Sequence, residues 1–206
     1  MDVESALLAH LLALRITMGV RAVFLTGFMG SGKSSVGREL ARRLHWDFVD
    51  LDARIEMREG KSIAEIFSGH GEPGFRIAET AALLELTRSL QRDSVVALGG
   101  GAFTQNENLE LLQAWPSVFL QATVDDLWRQ SADEDAIRPL RKDREQFARL
   151  YAERLPFYRQ ATLIVDTTGK DLVAICARIE AALHLGQANT ESALDLPLSS
   201  ETGGSW

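Results

Sequence analysis

The sequence predicts an α/β fold of three layers, with a mostly parallel five-stranded sheet between two layers of helices, and three observations carry that reading. Five short apolar, β-rich runs recur along the chain, helical patterns separate most of them, and the first run leads into a glycine-rich loop that opens a helix. Strands that alternate with helices are joined by crossovers, which keep the strands parallel and cover both faces of the sheet. With 206 residues, 46% hydrophobic and 25% charged, the chain is long enough to bury one substantial core.

Residues 1–20 precede the first strand. Their apolar run, Ala6 to Leu14, follows Asp2 and Glu4 rather than a basic segment, no small-residue cleavage site follows it, and it falls short of the roughly 20 residues that span a bilayer. Two readings stay open: an extra amphipathic helix, or a natural start at Met18. The first strand is Ala22 to Thr26, and Val36, Leu40 and Leu44 keep helical spacing through Ser34 to Leu44. Phe48 to Asp52 reads as the second strand. Ser62 is placed as a helix N-cap, with Glu65 completing a capping box, and a further helix covers Ile77 to Ser89. Ser94 to Leu98, Ser117 to Leu120 and Leu163 to Asp166 form the remaining strands, and Arg144 to Arg154 another helix.

The single cysteine, Cys176, lies in the helical apolar pattern Val173 to Ala177, so no internal disulfide is possible and a buried, inert thiol in a reducing cytoplasm is expected. Residues 186–206 are rich in Ser, Thr, Gly and Asn and read as a disordered tail. No repeat is visible, which gives an N-terminal extension (1–20), one domain (21–185) and the tail. A formal net charge of -7 and a pI near 5.2 provide no basic field for nucleic acid, so no nucleic-acid partner is expected, and no membrane partner is expected either.

Gly27-Phe28-Met29-Gly30-Ser31-Gly32-Lys33-Ser34 fits the pattern G-x-x-x-x-G-K-[ST] and sits where the chemistry needs it, between a strand and a helix. Glycines let successive N–H groups converge on phosphates, and the helix that follows turns its positive end toward them. Gly30, Ser31, Gly32, Lys33, Ser34 and Ser35 are the nucleotide-binding candidates. Lys33 is expected to reach the β- and γ-phosphates, and the Ser34 hydroxyl to ligate Mg²⁺. The bland alternative is a chance glycine-rich turn. A P-loop NTPase fold using ATP or GTP with Mg²⁺ follows, but the loop alone does not separate a kinase from a switch or a motor.

Other residues narrow the choice. Asp50 and Asp52, two apart on a strand, point the same way, toward the phosphate loop. The pair suits a division of labour in which Asp50 orients hydrated magnesium and Asp52 accepts the proton of an attacking hydroxyl; solvated aspartates at a strand end are the alternative. Gly99-Gly100-Gly101 permits close backbone approach to a ligand, or marks a tight connection. Arg76, Arg138, Arg154 and Arg159 stand in apolar contexts, where a guanidinium pairs two-pronged with carboxylate or phosphate, although a solvated helix face explains any one of them.

Gly27 to Ser34, Asp50-x-Asp52, Gly71-Glu72-x-x-Phe75-Arg76, Gly99-Gly100-Gly101, Arg138-Pro139-Leu140 and Arg154-x-Pro156-x-Tyr158 together resemble the shikimate kinase family in order and spacing, over about Arg21 to Leu185. The gluconate kinases lack that set. The resemblance implies a nucleoside-monophosphate-kinase-like fold, phosphorylation of the 3-hydroxyl of shikimate by ATP with Mg²⁺, and a monomer working on small molecules. It implies catalytic roles for Lys33, Asp52 and Arg138, with Asp52 binding the substrate hydroxyls and serving as base. Arg76 and Arg154 hold the substrate carboxylate, Gly99, Gly100 and Gly101 line its pocket, and Asp50 joins Ser34 at the metal. Arg138 belongs to a lid that closes over the phosphates, Arg129 is a candidate neighbour of the adenine, and Asp166 to Lys170 flanks it. The acidic stretch Asp133, Glu134 and Asp135 departs from the basic lids of the family. A related kinase acting on another polyol acid or a nucleotide needs a different acceptor pocket. A degenerate binding module would lack Lys33, Asp52 or an arginine, and all are present.

Overall fold

The structure, a computed structural model, describes residues 21–131 and 143–186. The readings made for the N-terminal extension, the acidic stretch, Arg138 and the tail lie outside those residues. In chain order the elements are β1 (Ala22–Thr26), α1 (Lys33–Leu44), β2 (Asp47–Asp50), α2 (Leu51–Glu59), α3 (Ile63–Ser89) and β3 (Ser94–Ala97). A 3₁₀ turn (Ala102–Thr104) leads to α4 (Asn106–Leu112), β4 (Ser117–Gln121), α5 (Val124–Gln130), α6 (Arg144–Tyr158), β5 (Leu163–Asp166) and α7 (Leu172–Ala182).

All five strands are parallel, in the order β2-β3-β1-β4-β5. Alternation along the strands sends side chains to two cores. Val23 and Leu25 of β1, Val95, Val118, Leu120 and Val165 pack on Val36 and Leu40 of α1 and on Ile175, Cys176 and Ile179 of α7. Phe24, Val96 and Phe119 face the other way, onto Leu51, Ile55, Phe75, Leu83, Phe147, Tyr151 and Tyr158 from α2, α3 and α6. A sheet covered on both faces explains why the strands read as continuous apolar runs, each large buried side chain contributing about 1.5–3 kcal/mol. Cys176 is buried, as expected; burial pushes its thiol up to about 11. Among the described residues no helix is long and apolar enough to cross a membrane.

Three elements differ from the sequence reading. The second strand ends at Asp50, whose side chain accepts the N–H of Asp52 and caps α2. Asp52 therefore lies on a helix, and the two carboxylates do not share a strand face. The Ser62–Glu65 capping box is present, but α3 runs on to Ser89 with a break at Gly71 (φ 65°, ψ -173°), after which Pro73 falls in the first turn of the second half, where its missing N–H costs little. Helix α6 passes through Pro156 to Tyr158 because Tyr158 is buried and stacks on Phe119 at 5.1 Å.

Candidate active site

The loops that follow the parallel strands gather at the C-terminal edge of the sheet, the usual ligand side of such a fold. There Gly27 to Ser34 connects β1 to α1. Gly32 caps α1 with φ 79°, a left-handed conformation that a side chain resists, and no side chain caps the helix start. The Phe28 carbonyl turns inward, accepting from the Ser31 N–H and from Lys33 Nζ, each at 3.1 Å. The hydroxyls of Thr26 and Ser31 are buried without a hydrogen-bond partner. A buried, unmatched Ser31 hydroxyl beside an uncapped helix start fits a phosphate, which would accept from it and from the helix N–H groups.

Ser34 Oγ donates to Asp50 Oδ2 at 3.0 Å. This brings together two of the sequence candidates, a hydroxyl and a carboxylate, beside the loop. Such a hard oxygen pair fits Mg²⁺, which takes few protein ligands and completes its shell with phosphate and water. Among the described residues no group of three His, Cys, Asp or Glu forms a cage of its own.

Beside the loop lies a second cluster, a wall assembled from four separate parts of the chain. Gly99, Gly100 and Gly101 follow β3. A Cβ at Gly99 would meet Glu79 Oε1 at 2.7 Å and Asp52 Oδ1 at 2.8 Å, so these two carboxylates converge on one point. Arg154 Nη1 donates to the Gly100 carbonyl at 3.1 Å, and the same carbonyl accepts from the Tyr158 hydroxyl. The Arg154 guanidinium also lies 5.7 Å from the centre of the Phe28 ring, which joins this wall to the phosphate loop. Arg76 abuts Gly101: a Cβ there would lie 2.6 Å from Cζ and closer still to Nη1 and Nη2.

The electrostatics are dominated by Glu79. Its side chain is wholly buried, with Oε2 accepting from Arg76 Nη1 at 2.7 Å and Oε1 left without a hydrogen bond. Burial raises its carboxyl above the ordinary range; Arg76 and Arg154 pull it back, and the nearby charge of Asp52 pushes it further up. Burial also works against the charge of Arg76, but Glu79 and Glu72 together hold its guanidinium above its usual value. Burial pushes the Tyr158 phenol up to about 12, against the pull of Arg154, so it stays a proton donor at neutral pH.

Lys33, Ser34 and Asp50 thus gather on one side, and Asp52, Arg76, Gly99, Gly100, Gly101 and Arg154 on the other. Arg129 is exposed and paired with Asp126 at 3.0 Å. Glu79 and Tyr158 carry parts of the site that sequence reasoning assigned no role. The available signal for Glu79 was its position three residues after Arg76 on a helix, which puts both on one face.

A family model, SKI: Shikimate kinase, matches residues 29–184. The shikimate kinase of Geobacter metallireducens is 49% identical over 169 residues, covering 80% of this chain and 93% of the relative. That of Halorhodospira halophila is 46% identical over 167 residues, covering 79% and 93%. A solved structure of the shikimate kinase from Acinetobacter baumannii in complex with shikimate superposes with a TM-score of 0.73 at 35% identity, covering 82% of this chain and 96% of that one. With the phosphate loop, the Asp52 carboxylate and the arginine-flanked glycines arranged as described, the chain belongs to the shikimate kinase family.

Proposed function

We propose that this protein transfers the γ-phosphoryl group of ATP to the 3-hydroxyl of shikimate, giving shikimate 3-phosphate and ADP on the route to chorismate and the aromatic amino acids. The observation that carries the reading is the second wall. Asp52, two arginines and a side-chain-free glycine strip converge beside a phosphate loop, which suits an acceptor bearing both hydroxyls and a carboxylate.

Phosphoryl transfer asks for positioning and charge stabilisation more than covalent chemistry. The N–H groups of Gly30 to Ser35 cradle the phosphates, and Lys33 moves from the Phe28 carbonyl to the β- and γ-phosphates. Ser34 and Asp50 would hold Mg²⁺, which would supply charge neutralisation for the transferred phosphate. Asp52 orients the attacking hydroxyl and takes its proton as the bond to phosphorus forms. Arg76 and Arg154 bind the acceptor carboxylate, and the absent side chains of Gly99 to Gly101 leave room for its ring. Arg138, outside the described residues, is assigned from its motif alone to stabilising charge on the phosphates.

The test is a coupled ADP-release assay with ATP, Mg²⁺ and shikimate, with quinate, gluconate and a nucleoside monophosphate as parallel acceptors. Release that depends on shikimate alone supports the assignment. Turnover with another acceptor, or with none, overturns the acceptor and leaves the phosphate-loop reading.

A further inference from the structure

A guanidinium offers three edges to partners. In Arg76 the outer edge of Nη1 is committed to Glu79. The end formed by Nη1 and Nη2 backs onto Gly101, where even a Cβ would lie 2.6 Å from Cζ. The remaining edge, Nε with Nη2, presents the two parallel N–H groups that grip a carboxylate. One oxygen of Glu72 already holds both, at 3.3 Å from Nε and 3.0 Å from Nη2.

The two acidic partners of Arg76 differ in their freedom to leave. Glu79 is fully buried, whereas the Glu72 side chain is 62% exposed. We infer that Glu72 is an internal competitor: in the free enzyme its carboxylate occupies the edge of Arg76 that the substrate carboxylate takes, and binding displaces it. The inference rests on Arg76 being the carboxylate-binding arginine of the proposed reaction. Displacement is easy for two reasons. An exposed ion pair four residues apart on a helix is worth only about a factor of two in an equilibrium constant. Glu72 also loses little on release, because it follows the break at Gly71 and opens the second half of α3, where the first free N–H groups favour a carboxylate. Glu79 stays as the fixed anchor that keeps Arg76 aimed while the other edge changes partner. Glu72 therefore sets the affinity for an acid, and a neutral analogue does not feel it.

Calorimetric titration with shikimate and with its uncharged methyl ester tests this in the wild type, Glu72→Gln, Glu72→Ala, Arg76→Ala and the Glu72→Gln/Arg76→Ala double variant. Both Glu72 variants are expected to lower the Kd for the acid by about two- to threefold and leave that for the ester unchanged, and the gain disappears without Arg76. An unchanged or raised Kd for the acid overturns the inference, since a Glu72 that merely props Arg76 in place would weaken binding when removed. If Arg76→Ala itself leaves the Kd for the acid unchanged, the carboxylate assignment falls and the inference with it.

Discussion

The phosphate loop and the second residue cluster adjoin each other, with Arg154 over the Phe28 ring, yet they are built on opposite plans. The loop is local, eight consecutive residues whose function resides in backbone N–H groups and in glycines that permit the conformation. The wall is non-local, drawing Asp52 from α2, Arg76 and Glu79 from α3, three glycines after β3, and Arg154 and Tyr158 from α6. On the proposed reading the loop takes the polyphosphate and the wall selects the acceptor. Damage to one side is therefore expected to leave binding at the other nearly intact.

The largest effect that sharpens this division is at Asp52. Asp52→Asn removes the proton acceptor and keeps the shape of the wall, so kcat falls by about 10²- to 10⁴-fold. Nucleotide affinity, measured by titration with an ATP analogue, stays near the wild-type value because the loop is untouched. Turnover at the normal rate would remove Asp52 from the role of base.

The same contrast explains what the sequence made legible. The loop, the five strands and the Ser62 cap depend on neighbours in sequence and can be read from spacing alone. Asp50 and Asp52 were legible as a pair but not in their geometry, because the cap that Asp50 places on α2 ends the strand between them. Glu79 was legible only as a helical neighbour of Arg76; its burial, and its convergence on Gly99 with Asp52 from another helix, have no local signature. Tyr158 stood inside a quoted motif, but its link to the Gly100 carbonyl spans 58 positions and leaves no local trace.

A smaller, paired test replaces one glycine on each side by alanine. At Gly32 a Cβ meets nothing within 4 Å, but φ is 79°, so the cost is backbone strain of about 1–2 kcal/mol, read as a fall in thermal stability and in ATP affinity. At Gly101 φ is -113°, which any residue adopts, and the cost is the collision with Arg76. Gly101→Ala is expected to weaken shikimate binding about ten- to hundredfold, the worth of a charged two-pronged contact, while ATP affinity holds. Equal losses of both ligands in either variant would break the division into two independent walls.

The smallest effect is a pH dependence confined to the acceptor side. Burial raises the Glu79 carboxyl above its ordinary 4.5, so on acidification it protonates before an exposed glutamate does. Its hold on Arg76 then weakens, and the Kd for shikimate rises by less than about tenfold per pH unit, the limit for one coupled proton. Stability moves the other way. A folded-state value above the unfolded one means that the folded protein binds the proton more tightly, so this group's contribution to stability grows as pH falls through the raised value toward 4.5 and levels off below it. Glu79→Gln removes both trends at once, leaving shikimate affinity weak and flat across that window, while a denaturant series shows the acid-side gain in stability gone. A Kd that still rises on acidification in Glu79→Gln would assign the titration to another group of the wall, and an ATP affinity that follows the same curve would show that the loop and the wall share it.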